Sequence, residues 1–130
     1  MESRFVSQRH RARSLHYDFR LEKDGFYKSW AIPKGIPSQP DIRRLAIQVE
    51  DHSLQYGDFE GTIPEGEYGA GTVEIWDTGT YQAHEWTADK IVFTLGGDHV
   101  AGNYCLVRYP SNGERTWLLF KQTGRPKTEG

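Results

Sequence analysis

The 130-residue chain has a single cysteine, Cys105, which excludes an internal disulfide and a cysteine-rich zinc cluster. No apolar run is long enough to cross a bilayer as a helix. Residues Met1 to Phe5 lack the apolar core of a secretory signal, so the expectation is a cytoplasmic protein. No segment sustains a 3.6-residue apolar period, which argues against a helical bundle. One sign of charge is also missing over a long stretch. Residues 45–89 carry ten Asp/Glu and no Lys or Arg, whereas residues 1–44 carry ten Lys/Arg against five Asp/Glu. The net charge is only −2, so bulk charge does not announce a nucleic-acid binder. Segregated charge can nevertheless present a basic face on a chain whose total is acidic.

What is present favours β structure. Seven Tyr, six Phe and four Trp suit pleated, half-buried surfaces, and fourteen Gly and six Pro imply many turns. Extended or alternating segments recur near residues 15–21, 26–32, 43–50, 72–76, 80–85, 91–95, 103–109 and 116–121. Turn residues separate them, among them Asp24-Gly25, Thr78-Gly79 and Asn112-Gly113. Short strands at this spacing predict a mainly β fold, a barrel or a sandwich, with at most short helical turns, one near Ser53–Tyr56. One domain is expected over 1–130, with its core over about 4–121 and a polar tail over 123–130.

The segment Leu15-His-Tyr-Asp-Phe-Arg-Leu21 alternates strictly. Leu15, Tyr17, Phe19 and Leu21 would face the core, leaving His16, Asp18 and Arg20 in a row on the other face. His16 and Asp18 are close enough to share a cation. His10 can join them if Arg11-Ala-Arg-Ser14 turns, because an extended segment would hold it about 20 Å from His16. Two imidazoles and a carboxylate with open positions suit Mn²⁺, Fe²⁺ or Zn²⁺, and a guanidinium is suited to phosphate oxygens. Each histidine alone could equally be a surface residue. In the third strand Leu45, Ile47 and Val49 share one face, and Ala46, Gln48, Glu50 and His52 the other. If a helical turn follows, the Tyr56 hydroxyl and His52 lie on one side. Lys34 stands at a turn after Trp30-Ala-Ile-Pro33, and Arg43 and Arg44 open the third strand. Gly66-Glu-Tyr-Gly-Ala-Gly71 is followed by a strand pattern rather than a helix, so it reads as a tight turn and not a phosphate loop. Cys105 reads as a small core residue.

The motifs Arg9-His10, Leu15-His-Tyr-Asp-Phe-Arg-Leu-Glu22, Ser29-Trp-Ala-Ile-Pro-Lys-Gly35, Arg44-Leu-Ala-Ile-Gln-Val-Glu-Asp-His52, Asp58-Phe-Glu-Gly-Thr-Ile-Pro64 and Tyr68-Gly-Ala-Gly71 appear in that order. Together they closely resemble the 3′-phosphoesterase domain of bacterial DNA ligase D, which also occurs free-standing. The resemblance implies a compact single-domain β-barrel. It implies a Mn²⁺-dependent enzyme, with Zn²⁺ or another divalent transition metal as a substitute, that removes a 3′-terminal ribonucleoside and then the 3′-phosphate to leave a 3′-hydroxyl. It places metal ligation on His10, His16 and Asp18, catalysis on Arg20, His52 and Tyr56, and phosphate binding on Arg20, His52, Lys34, Arg44 and Tyr56. Arg4, Arg9, Arg11 and Arg13 would contact the nucleic-acid backbone. The implied partners are DNA or RNA/DNA 3′ ends at primer–template junctions and a DNA ligase acting in trans, for a monomer near the nucleoid. Two other readings compete. One is a non-haem iron oxygenase built on His16-x-Asp18 with His99 and Arg108. The other is a non-catalytic module that binds nucleic-acid ends.

Overall fold

The computed structural model describes residues 3–67 and 70–122. Nine strands are described: β1 Ser3–Arg11, β2 Leu15–Lys23, β3 Phe26–Ile32, β4 Arg43–Ser53, β5 Gly61–Ile63, β6 Gly71–Trp86, β7 Lys90–Gly96, β8 Ala101–Arg108 and β9 Thr116–Lys121. Hydrogen bonding runs in the order β1-β2-β3-β4-β9-β8-β7-β6, and β6 pairs back onto β1. The result is a closed, eight-stranded antiparallel barrel, with β5 added beside the start of β6. Closure removes the unpaired edges that would otherwise invite aggregation. Two short 3-10 turns, Leu54–Asp58 and Pro110–Asn112, are the only helical elements described. Among the described residues no helix is long and apolar enough to cross a membrane.

The barrel is filled by the large side chains of alternate positions. Phe5, Phe19, Leu21, Trp30, Ile32, Phe93, Tyr104, Leu106 and Leu119 are all essentially inaccessible. Phe93 stacks between Phe19 and Tyr104, with centroids 6.0 and 6.1 Å away. Burying each such side chain stabilises the fold by about 1.5–3 kcal/mol. The β2–β3 hairpin turns on Asp24 and Gly25, both with positive φ (55° and 86°), the geometry that matches strand twist in a two-residue loop.

Three elements differ from the sequence reading. Residues 3–11 form β1, a central strand, although nothing in their pattern announces it. Ser7 and Gln8 are both fully buried on opposite faces of this strand, so it carries no apolar alternation. Thr78-Gly79 is not a turn but lies inside β6, which runs unbroken for 16 residues. Gly79 is there because the strands approach closely: a Cβ would lie 2.2 Å from the Gly96 carbonyl oxygen. Finally, Leu15 is 42% exposed at the hairpin end rather than in the core, and Leu45 is 38% exposed. In β4 the core face belongs to Ala46, which is fully buried, so the apolar set Leu45, Ile47 and Val49 is turned outward. The expected tail 123–130 and residues Tyr68 and Gly69 lie outside the described residues.

Candidate active site on the outer wall of the barrel

The wall formed by β1, β2, β3 and β4 has two faces with different duties. Its inner face carries Phe5, Phe19, Leu21, Trp30 and Ala46 into the core. Its outer face carries polar groups in register: His10 opposite His16, Gln8 opposite Asp18, Arg20 opposite Ser29, and His52 opposite Tyr27. The turn expected over Arg11–Ser14 forms and brings β1 back against β2, so His10 and His16 become cross-strand partners with ring centroids 4.7 Å apart. In this way residues separated along the chain converge on one hollow of about 340 Å³, whose lining includes His10, His16, Asp18, Arg20, His52 and Tyr56.

His10, His16 and Asp18 each offer one ligand atom, and these atoms all lie within 4.8 Å of one another. His16 Nε2 is 3.2 Å from Asp18 Oδ1, and His10 Nδ1 is 3.6 Å from Asp18 Oδ2. Ligand atoms at about 2.1 Å from a shared ion stand roughly 3–4 Å apart, so the triad fits one divalent cation once its more distant atoms draw in by about an ångström. Two nitrogens and one oxygen leave coordination positions open and suit a borderline transition metal. The hydrogen bond that His16 donates to Asp18 raises the proton affinity of His16, against a smaller opposing effect of burial. Burial by itself would raise the Asp18 carboxyl, but His16 and the charge of Arg20 together outweigh it and hold the carboxyl below its ordinary range.

Arg20 is the best-held side chain of the site. It is only 3% exposed. Its Nε donates to Gln8 Oε1 (2.7 Å), its Nη1 donates to Ser29 Oγ (2.8 Å), and Nη2 lies 3.7 Å from Asp18 Oδ2. Burial lowers its proton affinity, and Asp18 opposes that effect. A guanidinium stays charged throughout the working pH range. Its flat face lies 4.8 Å from the Tyr56 ring centroid. The 3-10 turn Leu54–Asp58 folds over this face of the wall. It is tied down by Gln8, whose Nε2 donates to the carbonyls of Tyr56 (2.9 Å) and Phe59 (3.1 Å). Gly57 permits the approach, because a Cβ there would lie 2.5 Å from Tyr27 Cε2. Tyr56 in turn stacks on His52, with centroids 4.6 Å apart and planes 17° apart, as expected for a helical turn after His52. Burial and then the charge of Arg20 lower the proton affinity of His52.

His52 reaches the hollow by an unexpected route. Ser29 faces Val49 and Tyr27 faces His52, so three β4 residues span the same stretch as two β3 residues. This bulge, pinned by Lys28 Nζ on Asp51 Oδ2 at 2.8 Å, reverses the parity of β4. Val49 and His52 therefore both face the hollow, while Ala46 and Gln48 face inward, where Gln48 accepts from Trp117 Nε1. Gln8, Ser29 and Val49 are site residues that sequence reasoning missed.

Other expected residues stand elsewhere. Lys34 and Arg44 meet each other, not the hollow: the Arg44 guanidinium donates to the carbonyls of Lys34 and Gly35. Arg9 and Arg11 share Glu74, at 3.2 and 3.7 Å, and Arg4 is 3.7 Å from Asp58. His99 stacks on Trp76, and Arg108 lies 3.6 Å from Asp89, so neither joins His16 and Asp18 as an oxygenase site would need. Cys105 is buried, which raises its thiol pKa. A larger hollow of about 750 Å³ adjoins the site at Ala12, and among the described residues its titratable groups are Arg13, Glu65 and Glu67, which make no metal-binding set.

The chain is 50% identical over 121 residues to the multifunctional non-homologous end joining protein LigD of Mycobacterium bovis, covering 90% of this chain and 16% of that protein. It is 46% identical over 124 residues to the corresponding protein of Pseudomonas aeruginosa, covering 91% of this chain and 15% of that protein. The chain thus spans about a sixth of the length of these relatives. The model of the DNA ligase D 3′-phosphoesterase domain matches residues 8–108, a stretch that contains all of the triad, Arg20, His52 and Tyr56, and the chain belongs to that family.

Proposed function

We propose that the protein is a metal-dependent 3′-end-healing phosphoesterase, acting on DNA ends in repair by end joining. It removes a 3′-terminal ribonucleoside to leave a 3′-phosphate and then removes that phosphate to leave a 3′-hydroxyl. The observation that carries this reading is the convergence of His10, His16 and Asp18 with Arg20, His52 and Tyr56 on one hollow. Membership of the family and the non-homologous end joining role in the relatives' names support the DNA substrate and a ligase that completes the repair.

His10, His16 and Asp18 would hold the ion, Mn²⁺ in this reading. A divalent cation bound there supplies positive charge that offsets the charge developing on the phosphoryl oxygens. Arg20 grips the same phosphate. Gln8, Ser29 and Asp18 fix its orientation in advance, and positioning with electrostatics is most of phosphoryl-transfer catalysis. His52, neutral in the free protein because burial and Arg20 lower its proton affinity, still donates one ring N–H to a phosphoryl oxygen. Tyr56 keeps that ring in place by stacking and offers its hydroxyl to the phosphate. In the second reaction the oxygen of water joins phosphorus and the bond between phosphorus and O3′ breaks. The water protons are shared between the new 3′-hydroxyl and the released phosphate.

The test is a labelled primer–template ending in a 3′-monoribonucleotide or a 3′-phosphate, incubated with Mn²⁺, Mg²⁺, Zn²⁺ or chelator. Metal-dependent conversion to a 3′-hydroxyl strand is the expected result. DNA binding without release of phosphate under any metal would instead make the protein a non-catalytic end-binding module.

A further inference from the structure

A groove of about 610 Å³ runs along the outside of β4, lined by Ile47, Gln48, Val49, Glu50 and Arg115. Val49 and Glu50 also line the phosphoesterase hollow, so the groove opens into the site at the β4 bulge. On the opposite side the larger hollow meets the site at Ala12. The reaction centre therefore lies between two flanking depressions of different chemistry. The larger one sets two carboxylates, Glu65 and Glu67, against Arg13. The β4 groove has a single carboxylate, an apolar floor of Ile47 and Val49, and Arg115.

Arg115 differs from most arginines of the chain. Arg4, Arg9, Arg11 and Arg108 are ion-paired, Arg20 is fixed in the site, Arg43 lies over Phe120, and Arg44 is spent on backbone carbonyls. Among the described residues, the Arg115 side chain has no ion pair or hydrogen bond, although its own carbonyl is fixed by the Gln48 N–H at 2.8 Å. It is an exposed cation on an anchored backbone. Its distance from Arg20 follows from the sheet: Arg20 faces Ser29, Ser29 faces Val49, and Arg115 lies beyond β4 beside Gln48. Three inter-strand steps are roughly 14 Å. That span separates the two backbones by more than one phosphate's width, and a polynucleotide strand carries a phosphate at every step.

We propose that the β4 groove receives the retained strand of the substrate, with Arg115 on a phosphate upstream of the reacting one and sugar edges against Ile47 and Val49. This rests on the phosphoesterase reading and adds a direction to it: the strand enters across β4, and the group that departs faces the acidic hollow beyond Ala12. Charge favours this direction, because Arg115 shares the β4 groove with one carboxylate, Glu50, whereas beyond Ala12 Arg13, equally without an ion pair among the described residues, shares its hollow with Glu65 and Glu67, and that more acidic side receives an uncharged nucleoside.

The experiment uses a labelled primer–template ending in a 3′-phosphate, assayed between 50 and 200 mM salt with wild type, Arg115→Ala and, as a charge-matched control on the exposed end of β7, Lys90→Ala. Each phosphate contact contributes about 0.9 to the logarithmic salt slope, so its loss raises KM roughly eightfold at 0.1 M salt. Arg115→Ala is expected to show that rise and a salt slope shallower by about 0.9, with kcat kept, while Lys90→Ala matches wild type. A neutral methylphosphonate moved stepwise along the primer should find one upstream position that reproduces the defect in wild type and adds nothing in Arg115→Ala. Unchanged KM and slope in Arg115→Ala, or methylphosphonate effects that add fully to the variant, overturn the inference while leaving the phosphoesterase reading intact. Wild type that releases no phosphate overturns both.

Discussion

Gln8 is the joint between the reacting face and the segment that covers it, and its replacement gives a sharp test. Its orientation is fixed by chemistry: a guanidinium N–H can only donate, so Oε1 faces Arg20, and carbonyls can only accept, so Nε2 faces Tyr56 and Phe59. Gln8→Glu conserves shape and keeps an oxygen toward Arg20, but it replaces both N–H donors by an oxygen aimed at two carbonyls. An unsatisfied buried polar group costs about 1–3 kcal/mol. The two carbonyls are only partly buried, so each belongs at the lower end, and the direct repulsion adds to them. A loss of about 2–4 kcal/mol follows, despite the stronger contact to Arg20. Urea unfolding followed by tryptophan fluorescence reads it directly. With a slope of about 1–3 kcal/mol per molar for a small protein, the midpoint should fall by roughly 1 M or more. Turnover should fall with it, because Tyr56 and the stacked His52 lose their tie to β1. A Gln8→Glu protein with the wild-type midpoint and full turnover would refute the idea that this amide holds the covering turn.

Three further outcomes are expected. His16→Ala or Asp18→Ala should lose both tight Mn²⁺ binding in calorimetry and turnover, whereas His52→Ala should lose turnover and keep the metal; full activity in any of them removes that residue from the mechanism. Gly57→Ala should cost roughly 1–3 kcal/mol by overpacking against Tyr27 and should reduce turnover, and an unchanged unfolding midpoint would contradict the close approach. Tyr81 and Tyr104, whose hydroxyls donate to the carbonyls of Glu22 and Pro37, are pushed up to about 12 mainly by burial. The folded phenols hold their protons more tightly than the unfolded ones, so this stability is complete below pH about 10 and lost as pH rises toward 12. Two units correspond to about 3 kcal/mol per tyrosine, and stability flat across that window in alkaline titration would count against the burial.

The parts of the fold written in a single periodicity were legible from sequence. In β2, Phe19 and Leu21 enter the core while His16 and Asp18 face the site, because one side chain in two must be apolar there. The covering turn was legible for the same kind of reason, since Tyr56 follows His52 at helical spacing. β1 was not legible. Its two faces serve different environments, one packing Phe5 into the core and the other placing Gln8 and His10 at the site, and buried Ser7 removes the remaining contrast. Arg20 was read as one of a polar row on the outer face, and nothing in that pattern shows that the segment after His52 covers it almost completely. Coverage by a distant segment leaves no trace in the local pattern of the strand it covers.

His52 shows how a residue can reach the expected hollow by a geometry that strict alternation does not suggest. Strict alternation groups it with Ala46 and Gln48, and those two residues face the inside of the barrel. On an unbroken β4, His52 would have the same inward parity. The extra residue opposite Lys28 turns the strand over, so that the imidazole emerges beside Val49, on the face of Arg20 and Asp18. Its cost is an interrupted ladder at Glu50 and Asp51, offset in part by the Lys28–Asp51 ion pair. The same interruption is where the outer groove opens into the reaction hollow. One inserted residue thus turns the imidazole toward the hollow and joins the hollow to the outer groove. If the proposed function and strand path hold, restoring the regular ladder would remove both at once, however much it improved the sheet.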